Sequence, residues 1–272
     1  MSNKNQLQDK STQLRNKLKN YTSARVAIGR AGGSLTTSEL LKFQCEHAQA
    51  RDAVHLPLDL VALKKDIYSV FDKKWLSLLE HSMNVKSQAD NRETYLQRPD
   101  LGRSLNQASV DKLTQAKNKF DLLICIVDGL SSLAIANNVP DFLKTLLIEL
   151  ESDKFEIAPL VFVEHGRVAI GDQIAELMGA KTVLVLIGER PGLLSPDSLG
   201  VYLTYQPKVG VHDAMRNCIS NIRKGGLSYA EAASKVLYLI KESSRLGFSG
   251  VDLKERANTQ ELNSEPDKHF LF

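Results

Sequence analysis

VFVEHGRVAIGDQIAELMGAKTVLVLIGERPG, the stretch from Val161 to Gly192, decides the fold. Leu160 to Val163 is a continuous apolar run and reads as a buried strand. A short polar loop, Glu164 to Arg167, follows. Ile170, Ile174, Leu177 and Met178 then recur at helical spacing, and a second apolar run, Val183 to Ile187, ends at Gly188. Continuous apolar strands joined by an amphipathic helix predict a parallel βαβ unit, because such strands are covered on both faces. Open α/β sheets bind ligands at the carboxyl ends of their strands. Two loops are therefore marked, Glu164-His165-Gly166-Arg167-Val168 and Gly188-Glu189-Arg190-Pro191-Gly192.

The same alternation extends on either side. Lys112 to Phe120 reads as a helix and Leu122 to Val127 as an apolar strand. That strand ends in Asp128-Gly129-Leu130-Ser131-Ser132, where Ser131 or Ser132 can cap a helix bearing Phe142, Leu143, Leu146, Leu147 and Leu150. Downstream, Val201 to Tyr205 alternates and is rich in Tyr, which predicts a half-exposed or edge strand. A helix is expected over Asp213 to Ile222, broken by Gly225 and Gly226. Tyr229 to Leu246 reads as a long last helix with Ala232, Ala233, Val236, Leu237 and Ile240 inside, stopped by Gly247. The tail after Asp252 is polar. The fold class is α/β, a Rossmann-like, doubly wound and mostly parallel sheet.

A smaller helical N-terminal domain precedes it. Leu7, Leu14, Leu18 and Tyr21 share one helical face of a polar start, read as a packing helix or as a targeting or docking helix. Thr22 to Gly33 is glycine-rich but matches neither GxGxxG nor GxxxxGKS/T, so it reads as a turn before a helix starting near Thr36 or Thr37. Leu40, Leu41, Cys45 and Ala48 would form one apolar face of that helix. Pro57 and Asp59 open the next, with Leu60, Leu63, Ile67, Val70 and Phe71 at helical spacing. Met83 to Arg92 is polar and reads as a loop, and Arg98 to Arg103 as irregular punctuation. The expected layout is a tail over 1–20, a helical domain over 21–105 and an α/β domain over 106–272, divided near Asn106.

The 272 residues give room for a sizeable core and for two domains. A formal net charge of +3 is too small to argue for nucleic acid. No apolar run reaches the roughly 20 residues that span a bilayer, and the start lacks the apolar segment of a secretory signal. Cys45, Cys125 and Cys218 are odd in number and show no metal spacing, which favours a reducing cytoplasm.

The residues offer little catalytic machinery. Gly129-Leu-Ser-Ser132 is not a GxSxG elbow, and the six histidines form neither HExxH nor a pair at metal spacing. His165 is a base only if something orients it. Asp128 ends a strand and either binds a ligand or caps the turn. Arg167, Glu189 and Arg190 are ligand contacts or a surface ion pair, while Cys125 and Cys218 read as buried small apolar residues. These residues support an α/β ligand-binding domain without an evident acid–base set.

Six short motifs resemble the small (light) subunit of ethanolamine ammonia-lyase. They are Ala24-Arg-Val-Ala-Ile-Gly-Arg-Ala-Gly32, Tyr95-Leu-Gln-Arg-Pro-Asp-Leu-Gly-Arg103, Val127-Asp-Gly-Leu-Ser131, Gly166-Arg-Val168, Ile187-Gly-Glu-Arg-Pro-Gly192 and Cys218-Ile-Ser-Asn-Ile222. They occur in family order between about Ser23 and Gly250. Ser104 stands where many relatives carry a second basic residue, and the first twenty residues are shorter than in some relatives.

The resemblance implies a subunit of a carbon–nitrogen lyase that converts ethanolamine to acetaldehyde and ammonia with adenosylcobalamin. It implies a hetero-oligomer in which a barrel-shaped large subunit holds the substrate and this chain covers the cofactor from the other side, within a bacterial microcompartment. It places cofactor contacts on Val168, Glu189 and Cys218, with Arg167 a fourth by position. The chain lacks the D-x-H-x-x-G signature by which some cobalamin proteins supply a histidine to cobalt, so no residue is expected to ligate the metal. Two other readings compete: a stand-alone α/β cofactor- or nucleotide-binding module, and a scaffold adaptor acting through the N-terminal helix.

Overall fold

The computed structural model describes residues 30–253 and a few isolated positions before them. Of the stripe expected at the start, Leu7 and Leu14 fall outside the described residues and Leu18 and Tyr21 are exposed, while the tail after Leu253 falls wholly outside. A small hairpin, β1 (Arg30–Ala31) and β2 (Ser34–Leu35), leads into α1 (Thr37–His55), α2 (Leu60–Val70) and α3 (Leu76–Glu80). Then come β3 (Met83–Lys86), α4 (Arg92–Gln97), α5 (Gln107–Thr114), β4 (Phe120–Val127), α6 (Ser132–Leu150), β5 (Val161–Glu164), α7 (Ile170–Met178) and β6 (Ala180–Gly188). The chain closes with β7 (Leu199–Tyr205), β8 (Asn217–Ile222) and α8 (Tyr229–Leu246).

The predicted βαβ unit is β5–α7–β6. Its two strands flank β4 in one six-stranded sheet of order β3-β5-β4-β6-β7-β8. The first four strands are parallel, whereas β7 runs antiparallel to β6 and β8 antiparallel to β7, so the sheet is mixed. Alternate residues explain the continuous apolar strands. Ile124, Ile126, Leu184 and Leu186 face α2, α6 and α8, while Leu123, Cys125, Val183 and Val185 face α5 and α7. Local signals set the helix ends. Asp59, Asn91, Asn106, Ser131 and Ser228 each accept a backbone N–H at a helix start, and Ser228 with Glu231 closes a capping box.

Several expectations are corrected. Met83 to Lys86 is a strand, not a loop. Being short and at the edge, it carries polar Asn84 and Lys86, which hid it from a hydrophobic reading. It comes from before Asn106, yet lies in the same sheet as the strands that follow. The helix expected over Lys112 to Phe120 is α5, ending at Thr114, and Phe120 opens β4. β7 is an interior strand, neither half-exposed nor an edge, with Leu199, Val201 and Leu203 buried under α8.

Asp213 to Ile222 is not a helix. A single 3-10 turn, Asp213–Met215, leads into β8, the edge strand. Ile219 and Ile222 sit three apart, as on a helix, because a bulge puts an extra residue between them. Leu199 pairs with Ile222 and Val201 with Ile219, and Asn221 takes a positive φ of 62°. On α1 the expected apolar face is largely bare. Leu40, Leu41, Cys45 and Ala48 are exposed, and only Ala50 and Ala53 near its end are buried.

Candidate functional site

The loop after β5 is held by a stack of side chains from α4. Tyr95 is fully buried, and its hydroxyl donates to the Gly166 carbonyl at 3.0 Å. The Arg167 guanidinium lies 4.3 Å over one side of the Tyr95 ring, and that of Arg92 lies 5.1 Å from the same ring. Arg167 Nη2 also donates to the Tyr95 carbonyl at 3.1 Å, and the Arg167 amide donates to the Gly102 carbonyl at 2.7 Å. Arg92 donates to the carbonyls of Val54 and Gly129 and lies 3.5 Å from Asp128.

Asp128 is thus a strut. It accepts from the Gly166 amide at 3.3 Å, while Ser131 rather than Asp128 caps the helix that follows. Burial pushes the Asp128 carboxyl up from the usual range, and Arg92 pulls it down. His165 takes a positive φ of 55°, stacks on Tyr95 and meets the Ala89 carbonyl through Nδ1 at 3.4 Å. This geometry makes His165 part of the loop's support.

Beyond β6, no helix among the described residues covers the α7 side of the sheet. On that side lie the buried Gly200 and Thr204 and the half-buried Tyr202 of β7, and the exposed Cys218 and Ser220 of β8. A cavity of about 400 Å³ opens on this bare face, with Arg167, Val168, Tyr202 and Cys218 in its walls and Arg103 at its rim. A second hollow of about 350 Å³ adjoins it, sharing Arg103, Ala169, Asp213 and Arg216. Arg167, Val168 and Cys218, from distant parts of the chain, therefore meet in one place.

Cys125 is buried as expected, but Cys218 is exposed, a correction that follows from its place on an edge strand. Burial by its flanks and the nearby Glu189 raise the Cys218 thiol, and a hydrogen bond with Tyr202 lowers it. The net shift is upward, so the thiol stays neutral. Burial raises the Tyr202 phenol as well.

Glu189 borders this face but does not line the cavity. Its carboxylate accepts from Ser198 Oγ and Ser220 Oγ, each at 2.5 Å, and from the Asn221 amide at 3.3 Å. It lies across Gly200, where an added Cβ would sit 2.9 Å from Oε1 and 3.1 Å from Cγ. Glycine at 200 thus gives the carboxylate its place over the strand. No arginine pairs with Glu189 among the described residues. At Gly188 a Cβ would sit 2.0 Å from the Ser131 carbonyl oxygen. The loops after β4 and β6 meet backbone to backbone.

Sequence reasoning missed Tyr202, Ser198, Ser220 and Arg216. The serines carry no signal without the bulged strand that aims them at Glu189, and Tyr202 was hidden by placing β7 at an edge.

A family model described as "Ethanolamine ammonia-lyase light chain (EutC)" matches residues 12–254. The chain belongs to the ethanolamine ammonia-lyase light-chain family. Among its relatives, the ethanolamine ammonia-lyase small subunit of Pseudomonas fluorescens (strain Pf0-1) is 51% identical over 252 residues, covering 91% of this chain and 89% of that one. That of Pseudomonas putida (strain W619) is 50% identical over 252 residues, covering 91% and 90%. That of Pseudomonas aeruginosa (strain LESB58) is 48% identical over 259 residues, covering 94% and 92%.

Four of the motifs that carry the resemblance meet in pairs. Tyr95 and Gly102 hold Gly166-Arg-Val168, while Glu189 bonds to Ser220 and Asn221 of the Cys218 to Ile222 motif. Among the described residues, no group of three or more His, Cys, Asp and Glu could hold a metal ion, and no helix is long and apolar enough to cross a membrane.

Proposed function

We propose that this chain is the small subunit of an adenosylcobalamin-dependent ethanolamine ammonia-lyase, which converts ethanolamine to acetaldehyde and ammonia, and that the bare face of β7 and β8 covers the cofactor. The observation that carries this reading is the meeting of Arg167, Val168 and Cys218 in one cavity, with Glu189 beside it. The residues fit the group. A corrin is a disc rimmed with amides and attached to a phosphate, so it needs donors, acceptors and apolar walls. Arg103 and Arg167 supply donors, Val168 an apolar wall and Cys218 a small soft one.

Glu189 supplies an acceptor. A carboxylate has about four lone-pair sites; three are taken by Ser198, Ser220 and Asn221, leaving one for an amide or hydroxyl donor. When bound, the cofactor supplies radical chemistry that starts with homolysis of its cobalt–carbon bond. This chain orients the cofactor and excludes water from the side it covers.

A corrin is much larger than a cavity of about 400 Å³, so this chain holds one part and a large subunit the rest. We place a large-subunit contact on the exposed apolar side of α1, at Leu40, Leu41 and Phe43. The four parallel strands with helices on both faces read as a Rossmann-like doubly wound unit, extended by an antiparallel pair. Residence in a bacterial microcompartment belongs to the same reading and rests on the resemblance. The test is ammonia release from ethanolamine with adenosylcobalamin. Co-expression with the large subunit should give turnover, and the isolated chain should give none. Turnover by the purified chain alone refutes the division of labour.

A further inference from the structure

We infer that the buried Asp172–Arg216 pair is a positioning device that sets the gap between the walls carrying Val168 and Cys218; this rests on the cofactor reading of that cavity. Both side chains are 3% exposed. Arg216 Nη1 reaches the two Asp172 oxygens at 2.7 and 2.6 Å and donates to Thr204 Oγ1 at 3.2 Å. Its Nη2 donates to the Val211 carbonyl at 2.8 Å and its Nε to Asp213 at 3.3 Å. Every nitrogen of the planar fork is engaged, so the side chain has one geometry.

The placement gives this geometry its meaning. Asp172 lies in the first turn of α7, four residues after Val168. Arg216 immediately precedes β8, two residues before Cys218, and lines both adjoining hollows. The pair therefore joins the helix behind one wall to the strand that forms the other, with Thr204 of β7 between them. No helix among the described residues covers this face, so packing between those residues alone does not fix the spacing. A buried ion pair is a poor source of stability, since desolvating two charges offsets most of their attraction, and apolar residues would fill the space at least as well. Directional bonds supply what apolar packing lacks, a fixed distance and angle. Binding groups need placement within a fraction of an ångström to act together.

The experiment uses the co-expressed two-subunit enzyme and adenosylcobalamin, with affinity read from the visible spectrum of the bound cofactor and turnover from ammonia release. Arg216→Lys keeps the charge and loses the fork; Asp172→Asn keeps the shape and loses the charge. Each should weaken the cofactor by about tenfold or more and leave assembly of the cofactor-free enzyme unchanged, and Asp172→Asn, which lies outside the walls of that cavity, should leave turnover at saturating cofactor within about twofold. Wild-type affinity in either variant overturns the proposal, as does a lowered melting temperature with affinity unmoved, which marks a merely structural role. Thr204→Val removes one bond to Arg216 at nearly constant volume. If the first two variants fail to assemble, a loss of about threefold in Thr204→Val supports the proposal and no loss overturns it. Val168→Lys separates the two levels. Should it bind cofactor like wild type, the cavity itself is wrongly assigned; should it alone lose binding, only the positioning role falls.

Discussion

Replacing Gly200 by alanine tests the geometry of the site without touching any polar group. Gly200 lies mid-strand in β7 without a positive φ, so alanine fits the backbone. In an ordinary strand the change should stabilise by about 0.5–1 kcal/mol, because glycine gives up more chain entropy on folding. Here the new Cβ would meet Glu189 Oε1 at 2.9 Å, Cγ at 3.1 Å and Cδ at 3.3 Å. The carboxylate must move, and it is held by two serine hydroxyls at 2.5 Å. Hydrogen bonds to a charged group contribute about 1.5–3 kcal/mol each. Losing the better part of one, against the entropic gain, leaves a net destabilisation of about 1–2 kcal/mol.

Urea unfolding followed through the single tryptophan, Trp75, measures it. The sign is decisive, and a double-mutant cycle sharpens it. In a Glu189→Ala background the clash is gone, so Gly200→Ala should become neutral or stabilising. A stabilising Gly200→Ala in the wild-type background, or the same loss with and without Glu189, refutes the account of Glu189 lying over β7.

Two other outcomes are expected. Tyr95→Phe leaves the Gly166 carbonyl without its hydroxyl donor while keeping the ring under Arg167, and should cost about 1–3 kcal/mol in thermal or urea unfolding; an unchanged midpoint would show that the hydroxyl does not brace the loop. Glu231 is held below the usual carboxylate range by the Ser228 hydroxyl and amide, so its contribution is full above the unfolded pKa of about 4.3 and is lost as pH falls through the lower folded value. The stability gap between wild type and Ser228→Ala should therefore be open at neutral pH and narrow in acid, and a gap that widens there contradicts the capping-box geometry.

The parallel part of the sheet was legible because burial on two faces leaves a mark in one dimension. Leu122 to Val127 and Val183 to Ile187 have no alternation to confuse, and Gly188 ends the second run. Legibility failed where one face is bare or the ladder is irregular. β3 is half polar because it is an edge, and β8 mimicked a helix because a bulge spaces Ile219 and Ile222 three apart. Of the contacts expected by resemblance, Val168 and Cys218 line one cavity together with Arg167, expected by position, while Glu189 only borders it. The residues that hold them, Tyr95 and Arg216, reach across 71 positions to Gly166 and 44 to Asp172, and nothing local marks such a contact.

The cavity draws its walls from Arg167, Val168, Tyr202 and Cys218, so it has a position in time as well as in space. A ribosome releases these residues in order, at about 5–20 per second. When β6 has emerged, the parallel half of the sheet can form, but the bare face does not yet exist. It exists only after Asn217 to Ile222 has added to β7, and that strand's inner side stays uncovered until α8 follows. The proposed cofactor face is thus completed late, after most of the described chain has been made. A nascent chain arrested before Asn217 should hold no ligand there, whereas one arrested beyond Leu246 and clear of the exit tunnel has all four walls.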